Sequence, residues 1–386
     1  MLEPIKITTF TAGNWVKQSG YRAFIPIKIN RQWLIDQPEL ELLIAQAHQK
    51  LGELNAFSEL VPDVNFFIKM HIAKEATQSS RIEGIQISIE KAFFKSENIR
   101  PDERDDWQEV RNYILAMNYA IEQLDVLPLS NRLLRATHKR LLAGVRGKHK
   151  QPGEFRRSQN WIGGASLADA TFVPPPQQEL ADLMGDLEQF LHNEAIFLPE
   201  LVRVAIAHYQ FETIHPFLDG NGRTGRLLIT LHLVSKKLLV RPSLYLSAFF
   251  EEHRQLYFDN LSGVRHRDDM VQWLKFFMVG VMQTAESSIV TFRKITTLKH
   301  QLEIKLATLG RKQENARKLL NHLFSQPVVT AQDVSKLIDK SLPTANSLIK
   351  NFIAFGILKE KTGYQRNRIF SFREYIGLFE KQVSTQ

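Results

Sequence analysis

The strongest constraint on the fold lies between residues 222 and 239. This stretch reads as a helix, and Leu227, Leu228, Ile229, Leu231, Leu233 and Val234 spread its apolar character nearly all round the axis. A helix without a polar face has no side to offer water and must be enclosed by other elements. Helical patterns elsewhere can enclose it. From Arg31 to about Asp125 the texture is helical, and Phe66, Met70 and Ala73 share one face of a helix expected to run from near Asp63 to near Gly84. Trp107, Ile114 and Ile121 continue the pattern. A further helix spans Pro199 to about Thr213, and one or two long ones span Asp268 to about Gly310. Residues 1 to about 30 read as irregular or strand-like. Between Ala143 and Pro176 the glycines 147, 153, 163 and 164 surround Phe155-Arg156, Trp161-Ile162 and Phe172-Val173, which reads as a small β-hairpin. The expected fold class is mainly α.

The 386 residues exceed one ordinary domain, and 44% hydrophobic with 24% charged residues is globular composition. Cysteine is absent, which excludes disulfide scaffolds, thiolate zinc sites and cysteine nucleophiles. No apolar run reaches membrane-spanning length, and Met1-Leu2-Glu3-Pro4 does not open a signal peptide, so a cytoplasmic protein is expected. The net charge of +9 is uneven. From Arg311 to Gln386, 13 Lys and Arg against 6 Asp and Glu leave +7, which marks a separate basic module.

Chemistry concentrates in His215-Pro216-Phe217-Leu218-Asp219-Gly220-Asn221-Gly222-Arg223-Thr224-Gly225-Arg226, between two helices. The glycines allow the backbone to aim successive N–H groups at one point on a helix N-terminus, where phosphate is favoured. Arg223 and Arg226 lie three apart, can share a face and can grip phosphate oxygens. Asp219 is a hard oxygen ligand suited to Mg²⁺ between phosphates, and His215 suits a general base. A Walker A loop fails for want of Lys-Ser/Thr after the glycines. An EF-hand fails because Arg223 and Thr230 occupy the fifth and twelfth positions, where acids are needed, and no His-Glu-x-x-His is present for a zinc protease.

These twelve residues resemble the complete signature of the Fic family, whose members transfer AMP from ATP to protein hydroxyls. The resemblance extends over roughly Trp107 to Ile289 and includes Gly153-Glu154-Phe155-Arg156 and Pro174-Pro175-Pro176. It implies a Fic-type helical bundle. His215 would deprotonate the attacking Ser, Thr or Tyr hydroxyl, Phe217 would anchor the loop, and Asp219 would hold Mg²⁺. ATP would be held by Asp219, Gly220, Asn221, Gly222, Arg223, Thr224, Gly225 and Arg226, with Arg223 on the β-phosphate and Arg226 on the γ-phosphate. Tyr257 would border the adenine, although Leu256 departs from the adjacent aromatic pair of many relatives. Arg157, Ser158, Gln159, Asn160, Trp161, Ile162 and Gly163 would form a flap that pairs with an extended target segment. Ser79-Ser80-Arg81-Ile82-Glu83-Gly84 fits the family's inhibitory motif, in which Ser79, Glu83 and Gly84 are the fixed positions. Glu83 would take Arg226 away from the γ-phosphate.

Beyond Arg311, helices over Ala316–Phe324, Ala331–Ile338 and Leu342–Phe355, then strands over Ile357–Glu360 and Arg368–Phe372, suggest a winged helix-turn-helix. Thr344, Asn346, Ser347 and Lys350 would face outward on its recognition helix, with Arg366 and Arg368 on the wing. The expected domains are 1–106, an N-terminal helical region with the inhibitory motif; 107–290, the catalytic core; 291–310, a helical linker; and 311–386, the winged helix. Expected partners are ATP and a hydroxyl-bearing protein, with DNA and a second copy of the chain as further candidates and no membrane. A DNA-binding nucleotide sensor, removal of AMP and transfer of another phosphate-linked group are the alternatives.

Overall fold

The computed structural model describes residues 4–60, 64–144, 146–363 and 368–380. The chain opens with strands, not helices. Strand β1 (Ile5–Lys6) pairs in parallel with β4 (Trp33–Leu34), and between them β2 (Gly13–Gln18) and β3 (Tyr21–Pro26) form an antiparallel hairpin turning at Gly20, whose φ is +85°. Helices follow: α1 (Pro38–Leu60), α2 (Val64–Ile82), α3 (Ile89–Ala92), α4 (Arg104–Gln123), α5 (Asn131–Leu141), α6 (Leu180–His192), α7 (Glu200–Ile214), α8 (Asn221–Ser235), α9 (Ser247–Glu252), α10 (Arg254–Arg267) and α11 (Met270–Ala307).

The expectation for the apolar helix is met in space. Helix α8 is packed by α2, α4, α5 and α7, and Leu227, Leu228, Leu231 and Leu233 have no solvent-exposed surface. Full enclosure of four leucines stabilises the core by roughly 1.5–3 kcal/mol each. The result is a mainly α fold with small sheets.

Two regions depart from the sequence expectation. The hairpin between residues 143 and 176 reduces to one antiparallel bridge, Ile162 with Phe172. Gly163 and Gly164 both take positive φ immediately after Ile162, so the pairing cannot extend as a flat ladder. The boundary expected at residue 290 falls inside α11, whose buried face continues through Phe292, Ile295, Leu298 and Leu302. Residues 291–307 therefore continue the same helix.

The C-terminal segment contains α12 (Gln313–Ser325), β5 (Val328–Thr330), α13 (Ala331–Ile338), α14 (Leu342–Ala354), β6 (Lys359–Glu360), β7 (Ile369–Ser371) and α15 (Arg373–Glu380). The sheet order is β5-β7-β6, all antiparallel. Strand β5 and helix α15 were not expected. This segment leans on the N-terminal half through α12 on α2, Lys95 to Asp333 at 2.8 Å, and Lys361 to Glu90 at 2.9 Å. Thr344, Asn346 and Lys350 are exposed, while Arg368 pairs with Glu360 and Arg366 lies outside the described residues.

Candidate active site at the N-terminus of helix α8

Between α7 and α8 the chain makes two left-handed turns. His215 ends α7 with φ 50° and ψ 60°, and Gly220 precedes α8 with φ 73°. Positive φ is routine for glycine but strained for histidine, so the surroundings must hold His215 in place. They do so through the backbone. Arg156, 2% exposed, donates from Nε to the His215 carbonyl at 3.0 Å and from Nη2 to the Pro175 carbonyl at 2.5 Å. The Asn160 amide donates to the carbonyls of His215 (3.2 Å) and Phe217 (2.8 Å). Phe217 is fully buried, and the His138 ring stacks on it at 3.7 Å. His138 Nε2 donates to the Asp219 carbonyl, while its Nδ1 accepts from Gly153 N–H, both at 2.9 Å.

Each expected site residue has a definite place. The imidazole of His215 is pushed down to about 3 by burial and by the neighbouring Arg265 and Arg156, so it stands neutral at physiological pH. The Asn221 side chain is committed to the loop, its Oδ1 accepting from Phe217 N–H and its Nδ2 donating to the Phe217 carbonyl, both at 2.8 Å. Thr224 Oγ1 donates to the Gly220 carbonyl at 2.8 Å. These two contribute to an anion site only through the helix end they shape. The first backbone bond of α8 is Thr224 N–H to Gly220 O at 3.0 Å, which leaves the N–H groups of Asn221, Gly222 and Arg223 ahead of the ladder.

The two arginines meet different acids. Arg223 Nη1 donates to Glu109 Oε2 on α4 at 2.7 Å, with both side chains buried. Arg226 donates from Nε to Ser79 Oγ at 2.8 Å, and from Nη2 to the Ser79 carbonyl at 2.9 Å and Glu83 Oε1 at 2.8 Å. Glu83 follows the last residue of α2, and Gly84 turns the chain with φ +91°. A Cβ placed on Gly222 would come within 2.4 Å of Glu83 Oε1, so this carboxylate lies directly against the N-terminal turn of α8. Crowding opposes the charge on Glu83, but Arg226 outweighs it and holds the carboxyl below its usual pKa.

Asp219 keeps a half-exposed carboxylate, one oxygen of which accepts from Gly220 N–H at 2.6 Å. Among the described residues, no three His, Asp or Glu side chains converge to hold a metal unaided. A lone accessible carboxylate suits Mg²⁺, which takes most of its ligands from water and phosphate.

Two expected positions need correction. Tyr257 is 1% exposed, packed among Phe250, His208 and Trp273, and its hydroxyl donates to His208 Nε2 at 2.8 Å. Its ring therefore belongs to the core and leaves no free face for an adenine. In the flap, Arg157, Ser158, Trp161 and Gly163 are exposed, Gln159 and Ile162 are partly buried, and Asn160 is buried under the loop. Asn160 therefore supports the His215 segment instead of meeting a target. Glu109, His138 and Arg156 are functional supports that motif reading did not select, although Arg156 stood inside a quoted motif.

Residues 42–122 match the model of the Fic/DOC family N-terminal region, and residues 128–233 match that of the Fic/DOC family. These two segments are similar to the Fic/DOC family. The chain is 34% identical over 177 residues to the protein adenylyltransferase Fic of Aedes aegypti, covering 45% of this chain and 32% of that protein. It is 37% identical over 132 residues to the protein adenylyltransferase Fic of Drosophila willistoni, covering 34% and 25%. The matches thus span about a third or less of those curated relatives. A solved Fic family protein from Desulfovibrio desulfuricans shares the fold with TM-score 0.56 and 22% identity over 89% of this chain and 98% of that one. A Fic domain containing signaling protein from Bacteroides thetaiotaomicron gives 0.51 and 17% over 65% and 97%. Among the described residues, no helix is long and apolar enough to cross a membrane.

Proposed function

We propose that this chain is a protein adenylyltransferase that moves AMP from ATP to a protein hydroxyl and is restrained by its own Glu83. The reading rests above all on the Glu83 carboxylate, which lies against Gly222 and on Arg226 at the N-terminal end of α8. An anion held there by a helix end and a guanidinium stands in for a phosphate.

In the proposed reaction, the hydroxyl oxygen attacks the α-phosphorus, the bond to the bridging oxygen breaks and pyrophosphate leaves. His215, neutral in the resting site, would take the hydroxyl proton as general base. The N–H groups of Asn221, Gly222 and Arg223 would bind phosphate oxygens, and Arg226 the terminal phosphate once Glu83 withdraws. Mg²⁺ bound at Asp219 would neutralise phosphate charge. The protein's contribution is mainly positioning and electrostatics. The exposed flap residues would receive an extended target segment through main-chain hydrogen bonds.

The test is incubation with labelled ATP. Glu83→Gly should raise self-modification at least tenfold over the natural chain, and His215→Ala should abolish it in either background. Equal labelling with and without Glu83 would refute the restraint. Label entering protein only from another nucleotide, or AMP leaving a modified target, would favour the alternative reactions.

A second reading concerns residues 311–386. The exposed Thr344, Asn346 and Lys350 on α14 favour a winged-helix module that meets DNA. A steep loss of duplex affinity with salt would support this, and no binding at low salt would remove it.

A further inference from the structure

A cavity of about 530 Å³ lies between α1, α2, α9 and α11, and none of residues 215–226 lines it. That volume is in the range of sites that enclose small organic molecules. Phe249, Met282 and Val290 give it an apolar wall. Phe249 is buried, and a Cβ on Gly280, inside α11, would come within 2.7 Å of its ring. The helix is bare at that point, which lets the ring lie against it.

The polar lining lacks partners. His71 and Tyr245 are 6% and 5% exposed, and both border the cavity. Neither His71 Nε2 nor the Tyr245 hydroxyl has a hydrogen-bond partner among the described residues. Buried polar atoms in that condition are costly and call for a reason. The two rings stack with centroids 6.2 Å apart. Lys74 follows His71 by three residues on α2, hence on the same face, so the three groups stand together. Lys74 is half-buried, and its ammonium makes no hydrogen bond or ion pair among the described residues. Burial holds it below its ordinary pKa, against an opposing pull from Glu75 and Glu252.

Other charges on the lining are already engaged or open to solvent. Lys50 is held by Glu53 and Glu286, each at 2.9 Å. Glu75 accepts from the Tyr113 hydroxyl at 2.8 Å and from Ser247 Oγ at 2.5 Å, and burial pushes its carboxyl up toward the neutral form. Glu252 is exposed. A partnerless ammonium, two unpartnered polar atoms and an apolar wall remain.

We propose that this cavity is a binding site for a small amphipathic monoanion, a carboxylate on an apolar body, whose acid group meets Lys74 and the Tyr245 hydroxyl while its body lies on Phe249, Met282 and Val290. The Tyr245 phenol is pushed up by burial and keeps its proton to donate, and His71, pushed down to about 3, stays neutral and adds no charge. One ammonium and one hydroxyl match a single negative charge, whereas a phosphate ester would bring two. The site is independent of the adenylyltransferase reading, yet it is built on the same helix as the restraint: Glu75 lies one turn before Ser79, whose hydroxyl and carbonyl hold Arg226.

The test uses the full chain with ¹³C-labelled methionine methyls, and octanoate as the probe. The Met282 methyl signal, assigned through Met282→Leu, should shift saturably with a Kd of about 1 mM or tighter, as ordinary ligand efficiency gives for about ten heavy atoms. Octanol should bind more weakly than octanoate, and octylammonium most weakly. Lys74→Gln should cost about tenfold or more in octanoate affinity and Tyr245→Phe severalfold, with octanol little affected by either. Both substitutions remove groups that lack partners, so thermal unfolding should be unchanged, and the ligand series in the natural chain needs no variant. A Met282 signal indifferent to octanoate means a cavity that holds only water and overturns the proposal. So does octanol or octylammonium binding as tightly as octanoate, or equal octanoate affinity in Lys74→Gln.

Discussion

Arg223 and Arg226 leave the same turn of α8, yet their acids are held very differently. Glu109 closes on Arg223 with side-chain exposures of 7% and 5%. Glu83 closes on Arg226 with exposures of 40% and 2%. Glu109 projects from the middle of α4, whereas Glu83 lies just past the end of α2 and is followed by a glycine. A pair enclosed on both sides cannot open without burying an uncompensated charge. A pair with one half-open acid at a helix end can separate, and Arg226 then still has the Ser79 hydroxyl and carbonyl. The first pair is a structural pin, and the second has the construction of a latch.

This contrast can be broken by experiment. The largest effect is expected in activity, where Glu83→Gly should release labelling at least tenfold while Glu109→Ala should not activate at all. Activation by both would erase the distinction. Next is stability. Glu109→Ala strands Arg223 and should cost about 3–5 kcal/mol by urea unfolding, whereas Glu83→Ala should cost about 1 kcal/mol or less. Equal costs would make the latch a pin.

The pH dependence sharpens the comparison further. Glu83, held below its usual pKa by Arg226, contributes stability above the ordinary carboxylate range and loses it as pH falls through its own lowered value. Glu212 runs the other way. Raised from 4.5 to about 7 chiefly by burial, it leaves stability fully present below about 4.5 and lost as pH rises through about 7. Glu212→Gln should therefore gain on the natural chain by up to about 1.4 kcal/mol per pH unit between about pH 4.5 and 7, and the gain should level off above pH 7. Thermal unfolding from pH 3 to pH 8.5 reads both slopes. The smallest effect is expected at the wing: Arg368→Ala should change stability by about 0.5 kcal/mol or less, since its pair with Glu360 is exposed.

Much of the site was legible beforehand. The helix ends around residues 64–82, 200–214 and 221–235 follow from apolar spacing and from His-Pro and glycine stops. The convergence of His215, Asp219, Arg223 and Arg226 on one loop follows from their closeness in sequence. Other features were not legible. Asn160 and Tyr257 carry side chains that suit a target or an adenine, and only the packed fold turns them to the loop's carbonyls and to the core. The hairpin moved from residues 143–176 to residues 13–26 because alternation and turn residues are present in both, and only the second finds a continuous ladder.

The sequence by itself determined that a fully apolar helix stands at the centre, that its N-terminus carries a glycine-rich, two-arginine loop, and that an acid directly after Ser79-Ser80-Arg81-Ile82 ends a neighbouring helix. It also placed most of the basic charge in the last fifth of the chain. Only the tertiary structure decided which acid each arginine receives. Glu109 and Arg223 are 114 residues apart, and Glu83 and Arg226 are 143 apart. Helical periodicity relates neighbours three and four positions away and is silent on such distances. Those pairings exist because burying the apolar helix brings α2 and α4 against it, with their charged groups at its N-terminal end.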